Sequence, residues 1–201
     1  MNAIINTLAA LLGSMQRPQA GAAAPPLALV LKHETQSFAE TLAAIAESQA
    51  GVQEEGGNNR GRQVQAYQSA TSLAGTGWPW CAAFVCWVVW QTLLKTGLTP
   101  RDWTRPRTAL AWALESWANK EAFLRWNCFR STPDTPPRRG DLCTFTWSHC
   151  GIVTGYDPKT KLVYTVEGNA GAGNTSDSKA DGVRAKKHHV TKIRRLIRHI
   201  A

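Results

Sequence analysis

Three side chains that together could hydrolyse an amide occur in order along this chain of 201 residues. Cys81 stands at the start of an apolar run, His149 comes just before an apolar-alternating run, and Glu167 closes a later one. A cysteine nucleophile needs a base to take its proton, and that base needs a third group to orient it. If the fold brings the three together, the expected chemistry is amide hydrolysis.

The position of Cys81 favours an ionised thiol. Pro79 suits the first turn of a helix, so Cys81 is predicted to lie in the first turn of a helix that starts near Trp80. Unpaired backbone N–H groups and the helix dipole stabilise negative charge at such a position, and the thiolate is the nucleophilic form. From position alone, Cys81 is equally compatible with a small core residue.

The remaining candidates surround a possible base. His149 would take the thiol proton and return it to the leaving amine. Glu167 would accept the other ring N–H, and Asn169 would either hold the same imidazole or contact substrate. Each also has a plain alternative: a structural histidine, a solvated carboxylate and a loop residue.

Hydrophobic periodicity predicts helices first and strands second, which is typical of an α+β domain. A capping box at Ser37 predicts a helix that runs to about Gln49. An apolar helix follows over residues 80–95 with Gly97 at its end, and apolar runs separated by turns favour an antiparallel sheet. The further predicted helices cover 63–70 and 109–123, and the predicted strands cover 141–147, 149–156, 162–167 and 189–197.

The composition divides the chain into two parts. Residues 1–30 are interpreted as an N-terminal extension with an Ala- and Pro-rich linker, and residues 31–201 as one catalytic domain. No lysine or arginine precedes the first apolar run, which is a poor secretory signal and too short to span a bilayer. We therefore expect synthesis in the cytoplasm without a signal peptide and no membrane span.

Charge and cysteine content narrow the partners. The net charge of +9 favours anionic partners, and a basic run extends from Arg184 to Arg198. That run is either the solvated face of a last strand or a patch for anionic wall polymer or membrane surface. The five cysteines match no zinc-finger spacing, and Cys143 and Cys150 flank a predicted hairpin. We expect no metal and no cofactor.

Four motifs together resemble one enzyme family. They are Trp80-Cys81-Ala82-Ala83-Phe84-Val85, Gly140-Asp141-Leu142, Ser148-His149-Cys150-Gly151-Ile152-Val153 and Glu167-Gly168-Asn169. In this order and spacing they resemble the CHAP family of cysteine- and histidine-dependent amidohydrolases and peptidases, within the papain-like superfamily. The resemblance covers roughly residues 40–175.

The resemblance implies a papain-like α+β fold, with the nucleophile on a buried helix packed on a small antiparallel sheet. It implies Cys81 as nucleophile, His149 as general base and acid, Glu167 as orienting group and Asn169 as its assistant. Many relatives have a glutamine where this chain has Trp80, so the Cys81 backbone N–H is the favoured oxyanion donor. Because aromatic faces stack on sugars, Trp78, Trp80 and Trp147 are the candidate substrate-binding residues.

The family's usual substrate is peptidoglycan, so the first hypothesis is an amidase or endopeptidase that cuts an amide of the stem peptide. A phage lysin and an injected antibacterial effector both fit this hypothesis, the latter with a delivery machinery and a cognate immunity protein as partners. A cysteine protease acting on proteins is the second hypothesis. A non-catalytic basic module that binds wall or nucleic acid is the third, although nucleic acid is not the expected partner.

Overall fold

The computed structural model of the protein describes residues 27–98, 104–120, 126–171 and 181–200. Four helices precede six strands, so the predicted α+β class is confirmed. A 3-10 turn, Val190–Lys192, separates the last two strands. The helices are α1 (Leu27–Ser48), α2 (Arg62–Gln68), α3 (Cys81–Lys95) and α4 (Ala113–Lys120), and the strands are β1 (Trp126–Phe129), β2 (Leu142–Phe145), β3 (Cys150–Asp157), β4 (Leu162–Ala170), β5 (Gly182–His189) and β6 (Ile193–His199).

Helix α3 is the central element, because its first six residues are all buried. A helix that is apolar nearly all round must be covered on most faces. At its far end, the Leu98 N–H donates to the Leu93 carbonyl, and Gly97 has a φ of 71°. This is a Schellman ending, in which glycine takes the left-handed conformation without strain. Gly97 therefore ends the helix as predicted.

The six strands form one antiparallel sheet in the order β1-β6-β2-β3-β4-β5. Consecutive hairpins join β2, β3 and β4, while β6 returns to lie between β1 and β2. Successive side chains in a strand point to opposite faces, so this sheet builds two cores. Leu142 and Ile152 pack against the helices, whereas Cys143 and Val153 belong to a smaller cluster on the other face.

Close backbone approach fixes α3 against β4 near the candidate residues. A Cβ built on Gly168 would lie 2.5 Å from the Phe84 Cβ and 2.8 Å from the Trp80 ring. On β3, a Cβ built on Gly151 would lie 2.7 Å from the Glu167 Cγ. Since all three distances are far below van der Waals contact, only glycine lets α3 and the Glu167 side chain pack this tightly at these two positions.

An ion-pair cluster ties α1 to the sheet. The guanidinium of Arg139 donates to Glu40 Oε2 at 2.7 Å, to both carboxylate oxygens of Glu47 at 2.6 and 2.7 Å, and to the Thr154 carbonyl at 3.0 Å. Beside it, Gly140 faces the backbone of α1 closely, because a Cβ there would meet Ala39 at 2.7 Å. The helix is therefore held at one defined position against the β2–β3 region.

Several element boundaries differ from the sequence predictions. Helix α1 begins at Leu27, so the predicted start at Ser37 is wrong and the boundary drawn near residue 30 falls inside a helix. Strand β1 was not predicted, and the one expected last strand is replaced by β5 and β6 around a 3-10 turn. Residues 1–26 lie outside the described part of the chain. Among the described residues, no helix combines the length and hydropathy needed to cross a membrane.

Candidate active site

The first residue of α3 is Cys81, with Trp80 as the N-cap. The first intrahelical hydrogen bond runs from the Phe84 N–H to the Trp80 carbonyl at 2.9 Å. The N–H groups of the first helical turn therefore have no partner inside the helix, and the Ala82 N–H bonds the Cys81 sulfur. Cys81 retains 7% exposure, which leaves an approach for a substrate carbonyl.

Just before β3 lies His149, which connects Cys81 to the sheet. Its Nε2 is 3.0 Å from Glu167 Oε2, and its side chain also hydrogen-bonds the Cys81 sulfur. Because Nε2 faces the carboxylate, Nδ1 is the ring nitrogen left for the thiol. The ring lies parallel to Phe145 with the centroids 5.6 Å apart, which fixes its plane.

The carboxylate of Glu167 is 2% exposed, yet it is fully partnered. Oε2 accepts from His149, and Oε1 accepts from His188 Nε2 at 2.7 Å and from the Thr165 hydroxyl. Burial alone would raise the pKa of Glu167, but the hydrogen bonds from the two histidines and Thr165 outweigh it and lower the pKa to about 2. Glu167 is therefore a buried anion at neutral pH.

The charges of Cys81 and His149 depend on each other and on their neighbours Cys150 and Glu167. A hydrogen bond from Cys150 is the largest influence on Cys81, and despite burial the pKa of its thiol falls well below the usual value, with further help from His149. Burial would lower the pKa of His149, but its contacts with Cys81 and Glu167 raise the pKa to about 9. Both shifts favour a thiolate beside an imidazolium.

This arrangement has the parts of an acyl-transfer centre. The thiolate can attack a carbonyl carbon, and the imidazolium can give its Nδ1 proton to the leaving amine. The unpaired N–H groups at the helix start are available to the developing oxyanion. Three predicted residues, Cys81, His149 and Glu167, are thus brought together by elements far apart in sequence.

The fourth predicted residue, Asn169, lies apart from this hydrogen-bonded series. It sits in the irregular part of β4 with a φ of 54°, and its Oδ1 is buried without a hydrogen-bond partner among the described residues. The imidazole of His149 is held by Glu167. The assistant role of Asn169 stays a prediction.

The three tryptophans expected at the substrate have different surroundings. Trp80 is fully buried, stacks on Tyr67 with the ring centroids 5.4 Å apart, and donates its Nε1–H to Glu54 at 2.9 Å. The face and the polar edge of Trp80 are both occupied inside the core, and its substrate-binding role stays a prediction. Trp78 is half-buried and Trp147 is 42% exposed, so these two remain candidates.

From the sequence, His188 is expected only as part of a basic run, and its contact with Glu167 is not predicted. On β5, His188 pairs with Val163 of β4, and its ring also packs against Phe145 and Trp147. The alternation of the segment Gly182–His189 was the available signal, since it places every second side chain on one face. Without a predicted strand there, no partner for His188 could be assigned.

The ionised thiol gives a prediction that requires no substrate. Alkylation of Cys81 by iodoacetamide, followed by peptide mass spectrometry, should stay fast well below pH 8.5, the usual thiol pKa. His149→Ala should shift the alkylation profile to higher pH, because the thiolate loses its cationic partner. Cys86 is the internal control, since burial raises the pKa of this thiol in the same helix to about 12. Equal alkylation profiles for Cys81 in the two proteins would contradict the ion pair.

Comparison with known proteins agrees with this geometry. A family model described as the CHAP domain matches residues 73–169, a segment that contains Cys81, His149, Glu167 and Asn169 but ends before His188. No curated protein and no solved structure matches the chain. Residues 73–169 therefore match the CHAP domain family, whose members are cysteine- and histidine-dependent amidohydrolases and peptidases.

Proposed function

We propose that this protein is a peptidoglycan hydrolase that cleaves an amide bond of the stem peptide. The observation that carries the proposal is the hydrogen-bonded series Cys81–His149–Glu167, which holds a thiolate at an open helix start. Peptidoglycan is the substrate that the CHAP family suggests. Both an amidase and an endopeptidase would use this chemistry.

The reaction has two halves. The Cys81 sulfur attacks the amide carbonyl carbon, and the N–H groups of the helix start stabilise the oxyanion while His149 gives its Nδ1 proton to the leaving amine. The C–N bond breaks and a thioester remains on Cys81. Neutral His149 then takes a proton from water, the resulting hydroxide attacks the thioester, and the product acid leaves as Cys81 regains its negative charge. Glu167 stays ionised and keeps the ring oriented throughout.

A series of variants tests the assignment on purified sacculi, with released fragments identified by mass spectrometry. Cys81→Ala should lower turnover by about 10⁵-fold or more, because the nucleophile is lost and alanine preserves the helix. His149→Ala should cost about as much, since base and nucleophile act as a unit. His189→Ala is the matched control: His189 bonds only Thr191 among the residues described and should retain activity. Retained activity in Cys81→Ala would refute the proposal.

The same assay separates the rival enzyme class. A wild type that digests casein but leaves sacculi intact would show that proteins are the substrate. A wild type that binds sacculi without releasing fragments would favour the non-catalytic wall-binding module.

Glu167→Gln supplies a pH test of the positioning role. The active form needs ionised Cys81 and protonated His149, so the wild-type rate should fall at low pH and again above about pH 9. Removing the carboxylate's charge removes a cause of the raised His149 pKa, so the alkaline limb should move to lower pH. Turnover should fall by about 10²-fold or more. An unchanged alkaline limb would mean that another group holds the imidazole.

Two arginines of the basic run have structural partners. Arg198 donates two hydrogen bonds of 2.7 Å to the buried Asp141, and Arg194 bonds Glu115 at 3.0 Å while lying over the Trp112 ring. These two arginines stabilise the fold. Their pairing supports the interpretation of this part of the run as a strand face rather than a binding patch.

A groove of about 880 Å³ on the far side of the sheet offers a better site for anionic wall polymer. Its lining includes four cationic residues and no acidic residue, and it reaches Thr146, two residues before the exposed Ser148. Such a groove attracts an anionic chain by a salt-sensitive field. The cations are Arg130, Lys161 and Arg195, together with Arg194, whose charge is paired with Glu115.

Replacing Arg130 and Lys161 together by glutamine should weaken binding to sacculi at low salt. The reason is electrostatic, so the difference from wild type should disappear near 0.5 M salt, where the Debye length is about 4 Å. Lys95→Gln with Lys120→Gln removes the same charge from exposed helix ends and is the matched control. Cosedimentation with sacculi measures the effect, and equal weakening by both pairs would assign binding to net charge alone.

We propose that the protein reaches the wall as a phage lysin or as an injected antibacterial effector, with delivery machinery and, for the effector, an immunity protein as partners. Expression of the chain behind an added secretion signal should lyse a Gram-negative host, whereas protein added outside intact cells should not. The Cys81→Ala form is the control for lysis. A harmless wild type in the periplasm would count against both routes.

A further inference from the structure

The nucleophile has a second thiol as its neighbour. Cys150 is the first residue of β3, directly after His149, and is fully buried. Cys81 and Cys150 belong to the same buried cluster between α3 and the sheet, Cys150 hydrogen-bonds the Cys81 sulfur, and both cysteines are free. Two reduced thiols that are neighbours in one cluster have the proximity that a disulfide bond requires.

The strand geometry selects Cys81, and not Cys143, as the partner of Cys150. Cys143 pairs with Gly151 on the neighbouring strand and belongs to the core on the far face of the sheet. Cys150 belongs to the core that faces α3. Cys86, the other cysteine of α3, instead donates its thiol to the Thr108 carbonyl at 3.4 Å.

In the proposed hydrolysis, the Cys150 thiol helps to ionise Cys81 but transfers no proton and forms no covalent bond. His149 supplies the proton, Glu167 orients it, and the helix start supplies N–H donors. An aliphatic side chain would fill the same buried space beside Ile152. The thiol therefore adds a chemical capacity that the amide reaction leaves unused.

We propose that Cys81 and Cys150 form a peroxide-sensitive pair, in which oxidation closes a disulfide that switches the nucleophile off and protects it. The proposal rests on the proposed role of Cys81. In the first step the Cys81 thiolate attacks hydrogen peroxide, the O–O bond breaks, and one proton is taken up to give a sulfenic acid and water. In the second step the Cys150 sulfur attacks the Cys81 sulfur. The S–O bond breaks, and the departing hydroxide takes the Cys150 proton and leaves as water.

The different exposure of Cys81 and Cys150 gives the two thiols different roles. Cys81, with 7% exposure and a lowered pKa, has access to a small oxidant and is in the reactive form. Cys150 has no exposure, and burial raises its thiol pKa well above the usual range, so it resists direct oxidation. Cys81 is thus the oxidised thiol and Cys150 the resolving thiol. Without a resolving thiol, further peroxide carries a sulfenic acid to the irreversible sulfinic acid.

The experiment uses the full chain and reads the covalent state without any substrate. Mild hydrogen peroxide should remove two of the five free thiols, make the protein about 2 Da lighter, and give a peptide that joins Cys81 to Cys150. Dithiothreitol should restore both thiols and the full rate on sacculi.

Cys150→Val keeps the buried volume and removes the resolving thiol. In this variant peroxide should add about 32 Da at Cys81, and dithiothreitol should not restore activity. Cys143→Ala, the buried thiol on the opposite face, is the matched control and should behave as wild type. If Cys150→Val fails to fold, the cross-link map of the wild type decides the question alone.

Three outcomes would overturn the proposal: sulfinic acid at Cys81 in the wild type without a cross-link, a cross-link that uses Cys143, or no oxidation of Cys81. The cross-link map is independent of hydrolysis. Retained activity in Cys81→Ala would therefore remove the proposed function and leave the disulfide result standing.

Discussion

The buried carboxylate of Glu167 is the constraint on which the candidate site depends. An isolated anion with 2% exposure would be strongly destabilising, so it must collect donors from several elements. His149 comes from the start of β3, His188 from β5 and Thr165 from β4 itself. One carboxylate therefore connects groups from three neighbouring strands, and it helps to keep His149 charged beside Cys81.

Small residues make this buried arrangement possible, because they let the helix and the sheet approach each other closely. Gly151 leaves the space that the Glu167 side chain occupies, and Gly168 lets β4 approach α3 at Phe84. The Cys81 thiol at the start of α3 therefore lies beside the imidazole of His149. Position at the helix start and proximity to His149 are both needed, because either alone would give a weaker thiolate.

The sequence predicted the local parts of this site better than their partners. Proline before an apolar helix placed Cys81 in the first turn, and turn residues placed His149 at the start of a strand. Glu167 was expected to end its strand, whereas β4 continues to Ala170. The contacts of His188 were missed because a strand of alternating basic residues resembles a solvated loop. The burial of Trp80 was not predicted either, because it depends on Tyr67 and Glu54, which a one-dimensional pattern cannot bring beside it.

The place of β6 in the sheet has a consequence for biosynthesis. This strand joins β1 to β2, yet it follows every other described strand along the chain. A nascent chain can form the β2–β3–β4 hairpins early, but β1 has no neighbour until residues 193–199 have left the ribosome. Such long-range closure slows folding and leaves strand edges open meanwhile. Cys81 therefore leaves the ribosome long before the sheet that holds His149 can be completed.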